Sequence, residues 1–230
     1  MITCKALNFY FGTGEEDSND EEAKGDVAAS ESTRSSYHQN GPVDLTGLEV
    51  SLVSWNVDGL DGNSLATRMK AVYKVVSNLN PDFVFLQEVV GRELPTIERL
   101  SKLYDIYYSN KDYLYFTAIL VSKIFEVDSH YVIHYQNSGM GRTLQIIEIS
   151  NVPRGLADAW LAAGADKQTQ FTWDTRKNDN KQAFGARTRF DRIFWYGPLS
   201  RVKFSLAGQQ RIRSCLCFPS DHWAVHCEFS

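Results

Sequence analysis

The chain reads as an α/β protein, a layered α/β sandwich of mixed sheets flanked by helices. Three observations predict that class. Strand-like and helix-like runs interleave from about residue 48 onward, several strands are separated only by turns, and 43% hydrophobic with 13% aromatic content in 230 residues suffices for one sizeable core. The sequence has no internal repeat.

The first element, Leu48 to Val57, is rich in β-branched and apolar residues and predicts a strand. Leu65, Met69, Val72, Val75, Val76 and Leu79 recur at helical spacing, and Pro81-Asp82 breaks that helix before a strand from Phe83 to Gln87. Leu94, Ile97, Leu100 and Leu103 predict a second helix. Strand-like runs follow at Tyr115 to Val121, His130 to His134 and Thr143 to Ile149, then a short helix near Ala157 to Ala163. Arg189 to Trp195, Val202 to Leu206 and His222 to Phe229 complete the strands.

Residues 13–46 are a different material, rich in Glu, Asp, Ser, Gly and Asn with little aliphatic periodicity. Such a segment buries too little apolar surface to offset its ordering entropy and is expected to be a disordered acidic linker. Residues 1–12 end in a short apolar piece closing at Gly12, too short to fold alone. Residues 47–230 form the globular unit. The formal charge of −4 conceals a division: residues 15–31 carry −7, the remainder +3, and Asp174 to Arg213 alone holds ten Lys or Arg against three Asp. That basic stretch suits a phosphate-rich partner, although a solvated basic face has the same composition. No apolar run approaches the ~18 residues of a membrane helix and no signal segment opens the chain, so a soluble intracellular protein without a membrane partner is expected.

Four cysteines are too few and too poorly spaced for a disulfide framework. Cys215 and Cys217 would point to one face of a strand, and with His222, His226 and Cys227 a zinc cluster is a minor alternative to buried core cysteines.

Four segments place a polar residue at the end of an apolar run. They are Ser54-Trp55-Asn56, Leu86-Gln87-Glu88, Arg189-Phe190-Asp191 and Ser220-Asp221-His222. Phosphodiester hydrolysis requires a divalent cation, a polarised water and donors aimed at the developing charge, and magnesium is content with one or two carboxylates. Glu88 is placed to be that carboxylate, and Asn56 could bind the metal or a phosphate oxygen. His222, held by Asp191 or Asp221, could stabilise negative charge. Taken singly, each has a plain structural reading: a strand-end Glu, an Asn closing its own turn, a core His. Together they favour the chemistry.

Those four segments resemble the endonuclease/exonuclease/phosphatase superfamily. Asn56-Val57-Asp58-Gly59-Leu60, Tyr115 to Ile119, Thr172-Trp173-Asp174-Thr175 and Phe218 to Trp223 look most like its tyrosyl-DNA phosphodiesterase 2 family, over nearly all of residues 48–230. The resemblance implies a hydrolase of DNA repair that removes a topoisomerase 2 tyrosine from a DNA 5′ phosphate with Mg2+ or Mn2+, in the nucleus and secondarily the cytoplasm. It implies metal binding by Glu88 and catalysis by Asn56, Asp191, Asp221 and His222. Substrate contacts would come from Asn56, Val57, Asp58, Gly59, Leu60, Tyr115, Trp173 and Phe190, aromatic stacking being a sequence-tolerant grip on single strands. The piece ending at Gly12 looks like the remnant of the ubiquitin-binding helical domain that precedes the catalytic domain in that family, so ubiquitin is a further implied partner.

One departure stands out. The family's His-Leu-Glu-Ser-Thr strand, helix and Gly-Asp-x-Asn-Leu-Arg strand have no counterpart where the chain passes from Ser150 to Asn151. A strand, crossover helix and strand need about 30 residues or more. The missing Asp is the family's water-activating residue, so the fold is expected to be incomplete in the middle and activity impaired, with an inactive DNA-end or protein-binding relative as the alternative. A different nuclease or phosphatase chemistry of the superfamily is a third reading, and the Thr172 to Thr175 and Asn56 to Leu60 motifs argue against it.

Overall fold

Alternation along a few apolar strands divides the core in two. In strand β1 (Val50–Asn56) Val53 and Trp55 face one way while Val50 and Leu52 face the other; in β2 (Phe83–Val89) Val84 and Leu86 oppose Phe83 and Phe85. Strands buried on both faces read as continuous apolar runs, and these do. The computed structural model describes residues 49–135, 138, 142–149, 157–183, 185–195 and 201–230. The N-terminal remnant, all but the last residues of the entry into β1 and the Ser150 to Asn151 junction therefore lie outside the described residues, as does the expected acidic linker.

Between β1 and β2 runs helix α1 (Leu65–Leu79), whose stripe of Leu65, Met69, Val72 and Val76 is buried on the first core. After β2 come the short α2 (Leu94–Ile97), β3 (Tyr104–Tyr108), β4 (Phe116–Ser122), β5 (Val127–His134), β6 (Thr143–Ile149), β7 (Ala157–Asp158) and α3 (Ala159–Ala162). The chain closes with β8 (Trp173–Asp174), β9 (Arg187–Thr188), β10 (Phe194–Trp195), β11 (Val202–Ala207) and β12 (Ala224–Phe229). One six-stranded sheet, in the order β11-β12-β1-β2-β4-β3, is mixed: β1 and β2 are parallel and the other pairs antiparallel. Helices α1 and α2 cover one face. The opposite face is met by Ile147 and Ile149 of β6, by Ala159 and by Ile193, so a second layer exists. Among the described residues that layer consists of two-stranded ribbons, β5-β6 and β7-β10, with β8-β9 as a third ribbon. The layered α/β class with mixed sheets is as the sequence predicts.

Several elements differ from expectation. The second helix is a single α-turn flanked by 3-10 turns at Gly91–Glu93 and Glu98–Lys102. Leu94, Ile97, Leu100 and Leu103 are spaced by three throughout, the repeat of a 3-10 helix, and Pro95 sits inside the segment. The strand expected over Arg189 to Trp195 is a strand only at Phe194–Trp195. The edge strand β3 went unpredicted although Tyr104, Ile106 and Tyr108 alternate onto the first core, and the ribbon β8-β9, two residues a strand, is too short to show a period.

A buried amide ties the β5-β6 ribbon to the main sheet. Gln145 is fully buried; its Oε1 accepts from the Thr117 hydroxyl at 2.7 Å and its Nε2 donates to the Tyr107 carbonyl at 2.9 Å, with His130 Nε2 also at 3.0 Å. Replacing it with leucine leaves buried partners unpaired, at about 1–3 kcal/mol each. Equilibrium urea unfolding of Gln145→Leu is expected to show a loss of about 2–4 kcal/mol; an unchanged midpoint would mean the ribbon is held by apolar contact alone.

Candidate active site

The C-terminal ends of the two parallel strands β1 and β2 lie side by side, with Asn56 paired in register to Gln87, and the candidate site opens there. Beyond Asn56 the chain stays against β2: Val57 N donates to the Gln87 carbonyl at 3.0 Å and Gly59 N to the Glu88 carbonyl at 3.1 Å. A Cβ at Gly59 would collide with that carbonyl oxygen, so only glycine permits the approach. The pairing of β2 with β4 shifts register between Leu86 and Val89, and Glu88 lies there at φ 57°. A left-handed non-glycine residue costs about 1–3 kcal/mol and persists only where surroundings enforce it. Here it turns a core strand's carboxylate to the cleft.

The cleft, of about 420 Å3, is walled by Asn56, Asp58, Asp61, Glu88, Lys181, Asp221 and His222, with Leu60, Gly62 and Asn63 at its lip. Asn56 Nδ2 donates to Glu88 Oε1 at 2.9 Å while its Oδ1 accepts from the Asp58 amide at 2.9 Å, so the turn and the carboxylate are set by one side chain. The Ser220 hydroxyl donates to the Asn56 carbonyl at 2.6 Å and accepts from the His222 amide at 3.1 Å. His222 Nδ1 lies 2.7 Å from Asp191 Oδ2, and Trp173 Nε1 donates to Asp221 Oδ2 at 3.1 Å. Trp173, Phe190 and His222 form a file of rings, 5.6 and 5.9 Å between centroids.

Electrostatics at the cleft are strained toward negative charge. Burial and then the charge of Asp221 push the Asp58 carboxyl up to about 7 against the pull of Lys181 and Arg68, and its Oδ2 is buried without a hydrogen-bond partner. Burial raises Glu88, the Asn56 bond opposes it, and Asp221 adds to the rise. Burial alone would lower the His222 imidazole; the charge and hydrogen bond of Asp191, with Asp221 and Glu88, override it and hold the ring up at about 9. It is therefore cationic at neutral pH, leaving Nε2–H as its remaining donor.

Most of the expected site residues meet here. Asn56, Asp58, Leu60, Glu88, Asp221 and His222 line the cleft, Asp191 stands behind His222, and Trp173 and Phe190 flank it. Val57 does not contribute its side chain: it is fully buried in the core beneath α1. Gly59 serves by its absent side chain. Tyr115 packs half-buried against that core, away from the cleft wall. His222 makes one isolated bridge to Trp173 ahead of β12 rather than opening the strand.

The zinc alternative fails on its own residues. Cys215 and Cys217 pair with each other, a short-range disulfide that the spacing argument did not anticipate. Cys227 lies in the second core and His226 faces Ser205, and no three His, Cys, Asp or Glu side chains among the described residues converge as an ion-holding cluster. Part of the basic stretch is paired, through Arg187–Asp174, Arg189–Asp158, Lys203–Glu228 and Arg211–Asp179. A net count of charges overstates what it can offer a partner.

Sequence reasoning missed Arg68. Its five guanidinium donors reach five backbone carbonyls, those of Asn63, Val57, Pro219, Asp58 and Asp61, at 2.6–3.4 Å. The signal was available, since Arg68 stands between Leu65 and Val72 on the buried stripe of α1.

Residues 53–183 match the Endonuclease/Exonuclease/phosphatase family. The chain is 50% identical over 248 residues to the 5′-tyrosyl-DNA phosphodiesterase of Caenorhabditis briggsae, spanning 81% of this chain and 71% of that protein. Against its Caenorhabditis elegans counterpart it is 51% identical over 247 residues, spanning 81% and 68%. The crystal structure of TDP2 from C. elegans superposes with a TM-score of 0.78 at 50% identity, covering 81% of this chain and 76% of that one. The chain belongs to the tyrosyl-DNA phosphodiesterase 2 family. Its mixed sheet with flanking helices is the fold of that family's solved members, and its membership makes the cleft at the ends of β1 and β2 the place to look for chemistry.

Two outcomes are expected. Arg68→Lys keeps the charge but loses the fork that reaches five carbonyls; unfolding free energy should fall by about 3–5 kcal/mol, and a loss below 1 kcal/mol would show that the loops hold themselves. The second concerns pH. His222 stays protonated in the folded chain to about 9 whereas the unfolded ring loses its proton near 6.5, so its pairing stabilises fully below pH 6.5 and that contribution is lost as pH rises through about 9. The melting-temperature gap between the chain and His222→Gln should shrink from pH 6 to pH 10; a constant gap contradicts the Asp191 pairing.

Proposed function

We propose that the chain acts on DNA 5′ ends that carry a tyrosyl adduct of the topoisomerase 2 type, as a divalent-metal-dependent phosphodiesterase of DNA repair whose turnover is impaired. The observation that carries the reading is the convergence of Asn56, Glu88, Asp221 and the Asp191–His222 pair on one cleft in a member of this family. The donor set fits a hard cation. The carboxylate and amide ligands the cleft offers are oxygens, burial above all pushes Glu88 and Asp58 toward protonation, and Asp58 Oδ2 is buried without a hydrogen-bond partner. Glu88 would hold Mg2+ or Mn2+, with Asn56 and Asp221 beside it. Bound there, the ion supplies charge neutralisation of the phosphate.

The remaining chemistry belongs to the side chains. His222, kept cationic by Asp191, presents Nε2–H to a phosphate oxygen on which negative charge grows. Asn56 keeps Glu88 at the cleft while its own carbonyl is tied to Ser220, so the two walls cannot separate. Trp173 and Phe190 offer ring faces to the terminal nucleotides. A DNA substrate would be met in the nucleus first and in the cytoplasm second. Ubiquitin recognition through residues 1–12 would be a remnant of the family's N-terminal domain.

Impairment follows from the middle of the chain. The alignment with the C. briggsae protein runs over 248 residues but draws on 81% of 230, about 186, so about 62 aligned positions have no residue of this chain. Strand β6 ends at Ile149 and β7 begins at Ala157, too close for a strand, helix and strand of ~30 residues, and the second layer is made of separate ribbons while the first sheet is continuous. The same observation favours the second reading, a chain that grips DNA ends without cleaving them.

An oligonucleotide bearing a 5′-phosphotyrosine decides between them. Release of tyrosine in Mg2+ should run about 100-fold or more below the C. briggsae enzyme, as for loss of a general base, and should vanish with Glu88→Gln or a chelator. Turnover equal to the relative's, abolished by Glu88→Gln, would sink the claim of impairment; turnover that survives both would sink the metal assignment.

A further inference from the structure

The loop between β8 and β9 delivers one lysine to the cleft and fixes it there. Asn178, almost fully buried, donates to the Ser220 carbonyl at 2.9 Å, and Asn180 exchanges two bonds of 2.9 Å with the Phe218 main chain. Lys181 follows directly. Its Nζ lies 3.2 Å from Asp58 Oδ1 and 3.1 Å from Asp61 Oδ2, and among the described residues it is the only Lys or Arg that lines the cleft. Arg189, Arg187, Arg211 and Lys203 of the basic stretch are held instead by Asp158, Asp174, Asp179 and Glu228.

An ammonium group has three donors, of which the two carboxylates take two. The pair holds the four-carbon stem extended toward the cleft instead of letting it swing to solvent. Against this stands the need of the site: Asp58, Asp61, Glu88 and Asp221 together repel a phosphate, and a cation fixed among them offsets that repulsion where a diffusing counterion is absent. The neighbouring acids also keep Lys181 charged, its ammonium being raised by Asp58 and Asp61 despite partial burial.

We infer that Lys181 is a substrate contact whose third N–H donates to an oxygen of the phosphate at a DNA 5′ end. The inference rests on the DNA-end reading of the cleft and deepens it. If Lys181 served only to neutralise Asp58 and Asp61, its removal would change stability and leave the recognition of a terminal phosphate as it was.

Equilibrium anisotropy on the full chain in Mg2+ separates these roles, using one single-stranded oligonucleotide with either a 5′ phosphate or a 5′ hydroxyl. Lys181→Met should weaken binding of the 5′-phosphorylated strand about tenfold, as for one hydrogen bond to a charged group, and should leave the 5′-hydroxyl strand unchanged. The slope of log K against log salt for the phosphorylated strand should fall by about 0.7, one single-strand phosphate contact. Lys181→Arg should retain the preference, and Asp61→Asn, which keeps the cation and removes one tether, should retain it too. Thermal melting of each variant reports whether the fold is intact, and Asp61→Asn with Lys181→Arg carry the test if the Met variant unfolds: loss of the preference in both overturns the assignment. A phosphate preference undiminished in folded Lys181→Met overturns the Lys181 contact and leaves the DNA-end reading standing. A wild-type chain that binds both strands equally overturns the DNA-end reading and this inference with it.

Discussion

The guanidinium of Arg68 is the constraint on which the site depends. A buried cation needs every donor satisfied, and no side chain supplies that here: the nearest carboxylate oxygen, Asp58 Oδ2, is 3.9 Å away. The partners are instead main-chain carbonyls of three loop stretches, around Val57–Asp58, around Asp61–Asn63, and at Pro219. Since these bonds are to backbone, they fix where the chain runs regardless of which side chains it bears. The loop after β1 and the loop before β12, far apart in sequence, become one rigid rim around one planar ion.

On that rim the polar residues hold one another in a single arrangement. Ser220 joins Asn56 to His222, Asn56 joins Glu88 to the Asp58 turn, and Trp55, fully buried, donates from its indole to the His222 carbonyl at 3.1 Å. Each bond serves both neighbours, so the geometry is over-determined. That surplus sustains Glu88 and Asp58 in left-handed backbone conformations, at φ 57° and 50°, which isolated residues of their type seldom adopt. The charges follow from the same crowding. His222 is cationic because Asp191 outweighs the cost of its burial, whereas Asp58 and Glu88 are pushed up because their burial is not fully offset.

The two layers of the molecule are unequal in the way function requires. The six-stranded sheet with α1 and α2 carries Asn56 and Glu88, with His222 just ahead of β12, and it is continuous. The ribbons of the second layer carry Trp173, Phe190 and Asp191 only at its near edge, while the β5-β6 ribbon leans on the sheet through Gln145, Ile147 and Ile149.

The amino-acid sequence by itself determined the apolar periods, hence β1, α1, β2, β4, β6 and the two-sided core, because a period of 2 or 3.6 is written locally in residues such as Val53, Trp55, Val72 and Leu86. It also marked Asn56, Glu88, Asp191, Asp221 and His222 by their positions at the ends of apolar runs. Tertiary structure alone decided that Val57 belongs to the core and Tyr115 packs beside it, since a turn residue's direction depends on what the chain lies against. It decided that Asp191, not Asp221, grips His222, and that Trp173 takes Asp221. It assigned Lys181 to the cleft while Arg187 and Arg189 of the same stretch went to ion pairs elsewhere. Pairings of this kind are fixed by distances of a few ångströms between residues far apart in the chain, and a linear sequence carries no record of them.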